Sequence, residues 1–94
     1  MADVVPADIV RVRLFAAARA AAGVDELDLP AHSPSTIAEV LEQVIARAPA
    51  DSAGRLAEVI GRCSFLLNTV AETDDAAPVS AGDVLDVLPP FAGG

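Results

Sequence analysis

Apolar and polar residues alternate near the start of the chain. In IVRVRLFA (9–16), apolar residues occupy every second position, and Arg11 and Arg13 lie between them. This period of two is typical of a strand that buries one face and leaves the other in contact with water. We therefore predict the first strand at 9–16.

The next two segments predict a wide hairpin. AAARAAAG (16–23) is rich in alanine but too short to form a helix that is stable alone, so we interpret it as the hairpin loop. VDELDLP (24–30) predicts a second strand, which stops at Pro30 because proline cannot donate a hydrogen bond to a neighbouring strand.

The spacing changes to that of a helix in SPSTIAEVLEQVIARAP (33–49). Thr36 and Glu39 have the separation of a capping box, and Pro49 marks the end. Apolar residues recur every three or four positions and form one stripe along a helix. They are Ile37, Val40, Leu41, Val44, Ile45 and Ala48. The pattern predicts the main helix of the domain.

Weaker patterns follow this helix. ADSAGRLAEVIGRC (50–63) predicts a short helix or a loop with one or two turns. SFLLNTVA (64–71) predicts a strand with a turn that starts at Asn68, and the polar residues of ETDDAAP (72–78) predict a loop.

The last strand is predicted at VLDVL (84–88), after a tight turn in which Gly82 supplies a positive φ. Apolar residues flank its single charge, Asp86, so we expect the strand to lie inside the sheet and beneath the helix. Pro89 and Pro90 then prevent any further strand pairing.

The order of these elements indicates an α+β fold, a mixed sheet with one main helix packed across it. We predict a flexible N-terminal arm at 1–8, a single domain at 9–88 and an extended C-terminal tail at 89–94.

Composition narrows the range of partners. The 94 residues carry 14 acidic and 6 basic side chains, and the net charge of −8 argues against nucleic acid and against an anionic membrane. A single cysteine, Cys63, cannot form an internal disulfide, and the N-terminus lacks a signal-peptide pattern. We therefore expect a cytoplasmic protein.

The usual catalytic constellations are missing from the sequence. The one histidine, His32, lies in a proline-flanked loop, and one cysteine with one histidine cannot form a zinc site. We interpret Asp74 and Asp75 as a solvated turn rather than a paired-carboxylate site, and Cys63 as an inert thiol rather than a persulfide carrier. We expect no metal and no bound cofactor.

The terminal LPPFAGG (88–94) is the segment with the most specific chemistry. Two glycines, which have no Cβ, can enter a channel too narrow for other residues. The carboxylate of Gly94 could then attack ATP to form an acyl adenylate, and sulfide or a persulfide could displace AMP to leave a nucleophilic thiocarboxylate. In this interpretation the chain is a substrate and a carrier, and its partners supply the catalytic groups.

Four segments resemble the small subunit of molybdopterin synthase, over about residues 9–94 in all. They are VRVRLFAAARAAAG, STIAEVLEQVIA, LLN and PVSAGDVLDVLPPFAGG. A Pro-Pro-x-x-Gly-Gly end is typical of this family. The resemblance implies the β-grasp, ubiquitin-like fold, which agrees with the order of elements derived above.

The resemblance also implies a reaction cycle. An E1-like adenylyltransferase would consume ATP to adenylate Gly94, and a sulfur donor enzyme would supply the sulfur of a thiocarboxylate. The tail that would insert into the large synthase subunit comprises Pro89, Pro90, Phe91, Ala92, Gly93 and Gly94. There, sulfur would pass to cyclic pyranopterin monophosphate to build the dithiolene of molybdopterin. The active form of the family is a heterotetramer of two small and two large subunits.

We expect a partner to dock on the apolar sheet face that the helix leaves open, with Ile9, Phe15 and Phe65 as candidate contacts. The alternative for Phe15 or Phe65 is a place in the core. Arg19 falls where the family commonly has an arginine in its first loop. Three alternatives stay open. The chain could be a sulfur carrier for thiamine, cysteine or tRNA thiolation, a ubiquitin-like modifier that joins Gly94 to target lysines, or a plain interaction domain.

Overall fold

A computed structural model describes residues 6–31 and 35–90. In chain order its elements are β1 (Ile9–Leu14), α1 (Ala16–Ala22), β2 (Glu26–Pro30), β3 (Ser35–Thr36), α2 (Ile37–Arg47), α3 (Ala53–Ile60), β4 (Ser64–Leu67), β5 (Val70–Glu72), β6 (Pro78–Val79) and β7 (Val84–Leu88). Five strands form one sheet, and β3 pairs with β6 in a second, two-stranded sheet. The described part is an α+β fold.

Two parallel strands form the centre of the larger sheet, whose order is β2-β1-β7-β4-β5. β1 runs parallel to β7, with Val12 opposite Leu85, and the other neighbouring pairs are antiparallel. The prediction that 84–88 lies inside the sheet is confirmed. Gly82, in the turn before β7, has the expected positive φ of 89°.

The helices cover one face of this sheet and enclose the core with it. Alternate residues of the central strands, among them Val12, Leu85 and Val87, have no exposed surface. They meet the apolar stripe of α2, whose buried residues are Ile37, Val40, Leu41 and Val44. The spacing of apolar residues in both element types therefore points to the same core.

The predicted capping box begins α2. Thr36 Oγ1 accepts a hydrogen bond from the backbone N–H of Glu39 at 3.2 Å, and Glu39 Oε1 accepts one from the backbone N–H of Thr36 at 2.9 Å. Two backbone donors at the start of the helix thus have partners. The helical pattern in 50–63 is also confirmed, since α3 lies within it.

The interpretation of 16–23 as a hairpin loop is wrong. This segment forms α1, because Ala18, Ala21 and Ala22 are buried and supply the tertiary contacts that an isolated short helix lacks. Gly23 ends the helix with a left-handed φ of 81°, and its N–H donates to the Arg19 carbonyl oxygen at 2.9 Å.

Strand pairing also corrects the predicted loop at 72–78. Asn68 and Thr69 form a two-residue turn after β4, and β5 then reaches Glu72, while Pro78 begins β6. The short second strand starts at Glu26 rather than at Val24. Pairing partners distant in the chain decide these boundaries, which local composition does not report.

Candidate docking face and tail exit

The tail leaves the domain from the central strand β7. Leu88, the last residue of this strand, is paired with Ser64 on β4, and the half-buried Pro89 and exposed Pro90 follow. Neither proline has a backbone N–H, so the ladder cannot continue past Leu88. The predicted tail residues Phe91, Ala92, Gly93 and Gly94 lie outside the described residues, as do residues 1–5 of the predicted arm.

We define the open face as the side of the larger sheet turned away from the three helices. Side chains alternate along each strand, so the residues between core positions point to this face. They are Ile9, Arg11, Arg13, Glu26, Asp28, Ser64, Leu66, Ala71, Val84, Asp86 and Leu88. Charged residues dominate the β2–β1–β7 part, and apolar residues dominate the β4–β5 part.

Apolar side chains lie at the end of the sheet from which the tail leaves. Phe15 comes directly after the parallel Leu14–Val87 pair and is 38% exposed, and Val24 is 41% exposed. Leu88 is half-buried at the end of β7. Large exposed apolar groups are typical of a docking surface.

Two bidentate arginine–carboxylate pairs cross the open face. The Nε and Nη2 of Arg13 donate to the two carboxylate oxygens of Asp86 at 2.6 and 2.8 Å. Arg11 donates in the same way to Asp28 at 2.8 and 3.1 Å, and its Nε lies 3.3 Å from Glu26 Oε1. The hydrogen bonds from Arg11 hold the pKa of Asp28 below its ordinary value.

The structure places three of the four predicted interface residues at the surface. Ile9 is half-buried on the open face, and Phe15 is exposed near the guanidinium of Arg13, which lies 5.9 Å from the ring centroid. Arg19 is exposed on α1, beside an open depression that is also lined by Val24 and Glu26.

The placement of Phe65 on the open face is wrong. Its register partner on β7 is Val87, a core residue, so Phe65 points to the helix-covered side and packs against the core. The run Ser64–Leu67 is apolar after its first residue, and an apolar run carries no alternation from which the outward side could be read.

Asp86 is the site residue that the sequence patterns missed. The alternation in β1 indicated a solvent-facing row of arginines, but Asp86 on the neighbouring strand is buried and is paired with one of them. The sequence did contain a signal for this pair. An apolar strand carried a single acidic residue, and another strand carried arginines at alternate positions.

The other candidate groups have structural roles in the described part of the chain. Burial raises the pKa of the half-buried Cys63 thiol, whose Sγ donates to the Val59 carbonyl oxygen at 3.2 Å, so the nucleophilic thiolate is disfavoured. Asp74 accepts a hydrogen bond from the backbone N–H of Ala76 at 2.9 Å, as a turn residue does. His32 lies outside the described residues.

Two kinds of feature are absent from residues 6–31 and 35–90. No group of three or more potential ligand side chains is placed to hold a metal ion. None of the helices has both the length and the apolar character that a membrane crossing requires.

The sheet order, the helices packed on one face and the tail leaving a central strand define a ubiquitin-like β-grasp protein. Solved structures agree, including the small archaeal modifier protein 1 of Haloferax volcanii. It is 22% identical, with a TM-score of 0.73 over 88% of this chain and 98% of that one. The chain belongs to the ThiS family, which it matches over residues 12–94.

Relatives named for molybdopterin synthesis confirm the resemblance stated above. The molybdopterin synthase sulfur carrier subunit of Arabidopsis thaliana is 33% identical over 85 residues, which are 90% of this chain and 82% of the relative. A complex of subunits 1 and 2 of the molybdopterin-converting factor from Helicobacter pylori contains a chain that is 24% identical. The TM-score is 0.61, and the match covers 92% of the present chain and 99% of the Helicobacter pylori chain.

Proposed function

We propose that this chain is the sulfur-carrier small subunit of molybdopterin synthase and that Gly94 carries the sulfur as a C-terminal thiocarboxylate. The observation that carries the proposal is the exit of the tail. β7 is a central strand that ends at Leu88, and Pro89 and Pro90, which have no backbone N–H, end its pairing at that point. The match to a sulfur carrier subunit across 90% of the chain supports the same role.

The chemistry needs no catalytic group on this chain. The Gly94 carboxylate attacks the α-phosphorus of ATP on an E1-like enzyme, and pyrophosphate leaves. Sulfide then displaces AMP to form the thiocarboxylate directly. If the donor is a persulfide, its terminal sulfur displaces AMP to give an acyl disulfide, and a thiol cleaves the S–S bond to release the thiocarboxylate. On the large subunit, sulfur is transferred to cyclic pyranopterin monophosphate, and water supplies the oxygen that regenerates the carboxylate. Each thiocarboxylate carries one sulfur atom, so the two sulfurs of the dithiolene require two such transfers. ATP is consumed by the activating enzyme and is not a resident cofactor of the carrier.

The open face supplies the docking surface in this proposal. Phe15 and Leu88 lie at its tail end, so a partner that contacts them also receives the tail. The activating enzyme and the large subunit both need Gly94 and therefore bind one after the other. Docking places the reactive end in the channel and converts a bimolecular encounter into a positioned reaction.

Two other functions use the same activation step. A carrier for another pathway would give up its sulfur to a different acceptor. A ubiquitin-like modifier would transfer Gly94 to a lysine amine, and the structural likeness to a small archaeal modifier protein is the observation that favours testing it.

Intact mass measurement tests the proposal. The purified chain is incubated with the E1-like enzyme, ATP and a sulfur donor. We expect a mass gain equal to sulfur replacing oxygen, absent when Gly94 is deleted and retained in Glu58→Gln, a control on the exposed surface of α3. Adding the large subunit and the pterin precursor should reverse the gain.

Each contrary outcome identifies a different function. A thiocarboxylate that the large subunit and the pterin precursor leave intact indicates a different acceptor. Adducts of the chain with target lysines indicate a modifier. An unchanged mass, despite binding to the activating enzyme, overturns the carrier role.

A further inference from the structure

Asp86 is the one charged residue that is buried within the described ranges 6–31 and 35–90. It lies on the open face, where none of the helices covers it. Its register partners there are Arg13 on β1 and Leu66 on β4, so the arginine and an apolar side chain flank it. The carboxylate is 7% exposed, whereas the side chain of Arg13 is 39% exposed.

A buried ion pair is weak evidence of a gain in fold stability. Removing a carboxylate from water is unfavourable, and replacing both members of a buried ion pair by apolar residues is often neutral or stabilising. The adjacent Leu66 and Leu88 offer apolar surface against which such replacements could pack. The pair therefore requires an explanation other than its contribution to the core.

The arrangement fixes the position of an arginine at the surface. Asp86 receives two parallel hydrogen bonds, which orient the plane of the guanidinium, and the ring of Phe15 lies 5.9 Å from its central carbon. An exposed arginine that is already oriented loses less conformational freedom on binding than a mobile one. Arg13 also precedes Phe15 by two residues, so it borders the apolar end of the face from which the tail leaves.

We propose that Arg13, oriented by Asp86, is a specificity-determining contact at which the large subunit presents a carboxylate. This inference rests on the proposed function. A partner that covers the open face removes Arg13 from water, and an opposing acceptor must replace the lost hydration. A carboxylate does so best, because it matches the donor geometry of a guanidinium and attracts its charge. A partner surface that has no hydrogen-bond acceptor opposite Arg13 binds more weakly.

Two double substitutions separate the role of this pair from general charge effects. Arg13→Leu with Asp86→Leu removes the pair near the tail, and Arg11→Leu with Asp28→Leu removes the matched bidentate pair one row farther from the tail. Both leave the net charge unchanged. The affinity of each full-length variant for the purified large subunit is measured at low and high salt, and its thermal stability is measured in parallel.

We expect the Arg13/Asp86 variant to bind at least about tenfold more weakly than the wild type, since close interfacial charge pairs have couplings of that size or larger. It should remain folded, and its affinity should depend less on salt than that of the wild type. The Arg11/Asp28 variant, whose pair is also on the open face but farther from the tail, should lose clearly less affinity than the Arg13/Asp86 variant. Arg13→Lys, which keeps the charge but not the fork, should give an intermediate loss.

Three results would overturn the inference. If the two double variants lose the same affinity, the effect is one of general electrostatics and not of Arg13. If the Arg13/Asp86 variant binds as tightly as the wild type, Arg13 does not contact the large subunit. In both cases the wild type still binds the large subunit, so the carrier function stands. If the wild type does not bind the large subunit at all, the proposed function and this inference fail together.

Discussion

Replacing Thr69 by glycine should stabilise the domain without changing its chemistry. Thr69 is the second residue of the turn between β4 and β5 and has a φ of 71°, after Asn68 with a φ of 51°. Two-residue hairpin turns with positive φ at both positions favour Asn-Gly. Asn68 already meets this preference, whereas a β-branched threonine in the left-handed region is strained.

The size of the effect follows from two opposing terms. Relief of left-handed strain contributes about 1–2 kcal/mol for a residue with a Cβ. Glycine adds freedom to the unfolded chain, which removes about 0.4–1 kcal/mol of that gain. At the middle of both ranges the expected net stabilisation is about 0.8 kcal/mol, or roughly 3–6 °C in the melting temperature of a domain of this size.

Chemical denaturation of the wild type, Thr69→Gly and Thr73→Gly provides the assay. Thr73 is an exposed threonine beyond β5 that lacks a positive φ, so its replacement carries the entropic penalty of glycine without any relief of strain. The tail leaves the opposite end of β7 from the turn at Asn68, so thiocarboxylate formation should be equal in all three proteins. The reasoning would be refuted if Thr69→Gly did not raise the free energy of unfolding, or if Thr73→Gly raised it by the same amount.

Two further predictions concern the helix start and the open face. Thr36→Ala should lower the free energy of unfolding by about 1 kcal/mol in denaturant titration, because it removes the acceptor of the Glu39 backbone N–H; an unchanged stability would contradict the role of the capping box. Asp28→Asn should destabilise the protein near neutral pH. The difference should disappear in acid, because a carboxyl with a depressed folded-state pKa contributes stability above its ordinary pKa and loses it as the pH falls through the folded-state value. An Asp28→Asn effect that persists at low pH would contradict the assigned cause.

The sequence predicted those elements whose signal is local. The capping box at Thr36, the apolar stripe of α2 and the glycine turn before β7 each depend on residues within a few positions of one another. α1 was missed because its stability comes from burying Ala18 and its neighbours against distant elements. The same limit explains the misplaced Phe65, since its orientation depends on its register with β7.

The Arg13–Asp86 pair shows the same limit at the candidate site. Its two members are 73 residues apart in the chain, and only the parallel pairing of β1 with β7 brings them together. The tail could be proposed as a carrier segment from the sequence alone, because its residues are contiguous and the proposed chemistry needs no folded context. A contact assembled from two strands has no equivalent signature in a single sequence.

A carrier of this kind must distinguish its partners either by its tail or by the surface of its folded domain. In the proposed cycle the activating enzyme and the large subunit both receive the segment 89–94, so the tail cannot favour one of them over the other. Because β7 pairs with β1 up to Val87 and with β4 up to Leu88, the domain cannot release more of the chain without breaking its central strand. Discrimination must then come from surface that the domain holds fixed. The open face meets that requirement, and the oriented Arg13 gives it a charge that one partner can match and another can fail to match.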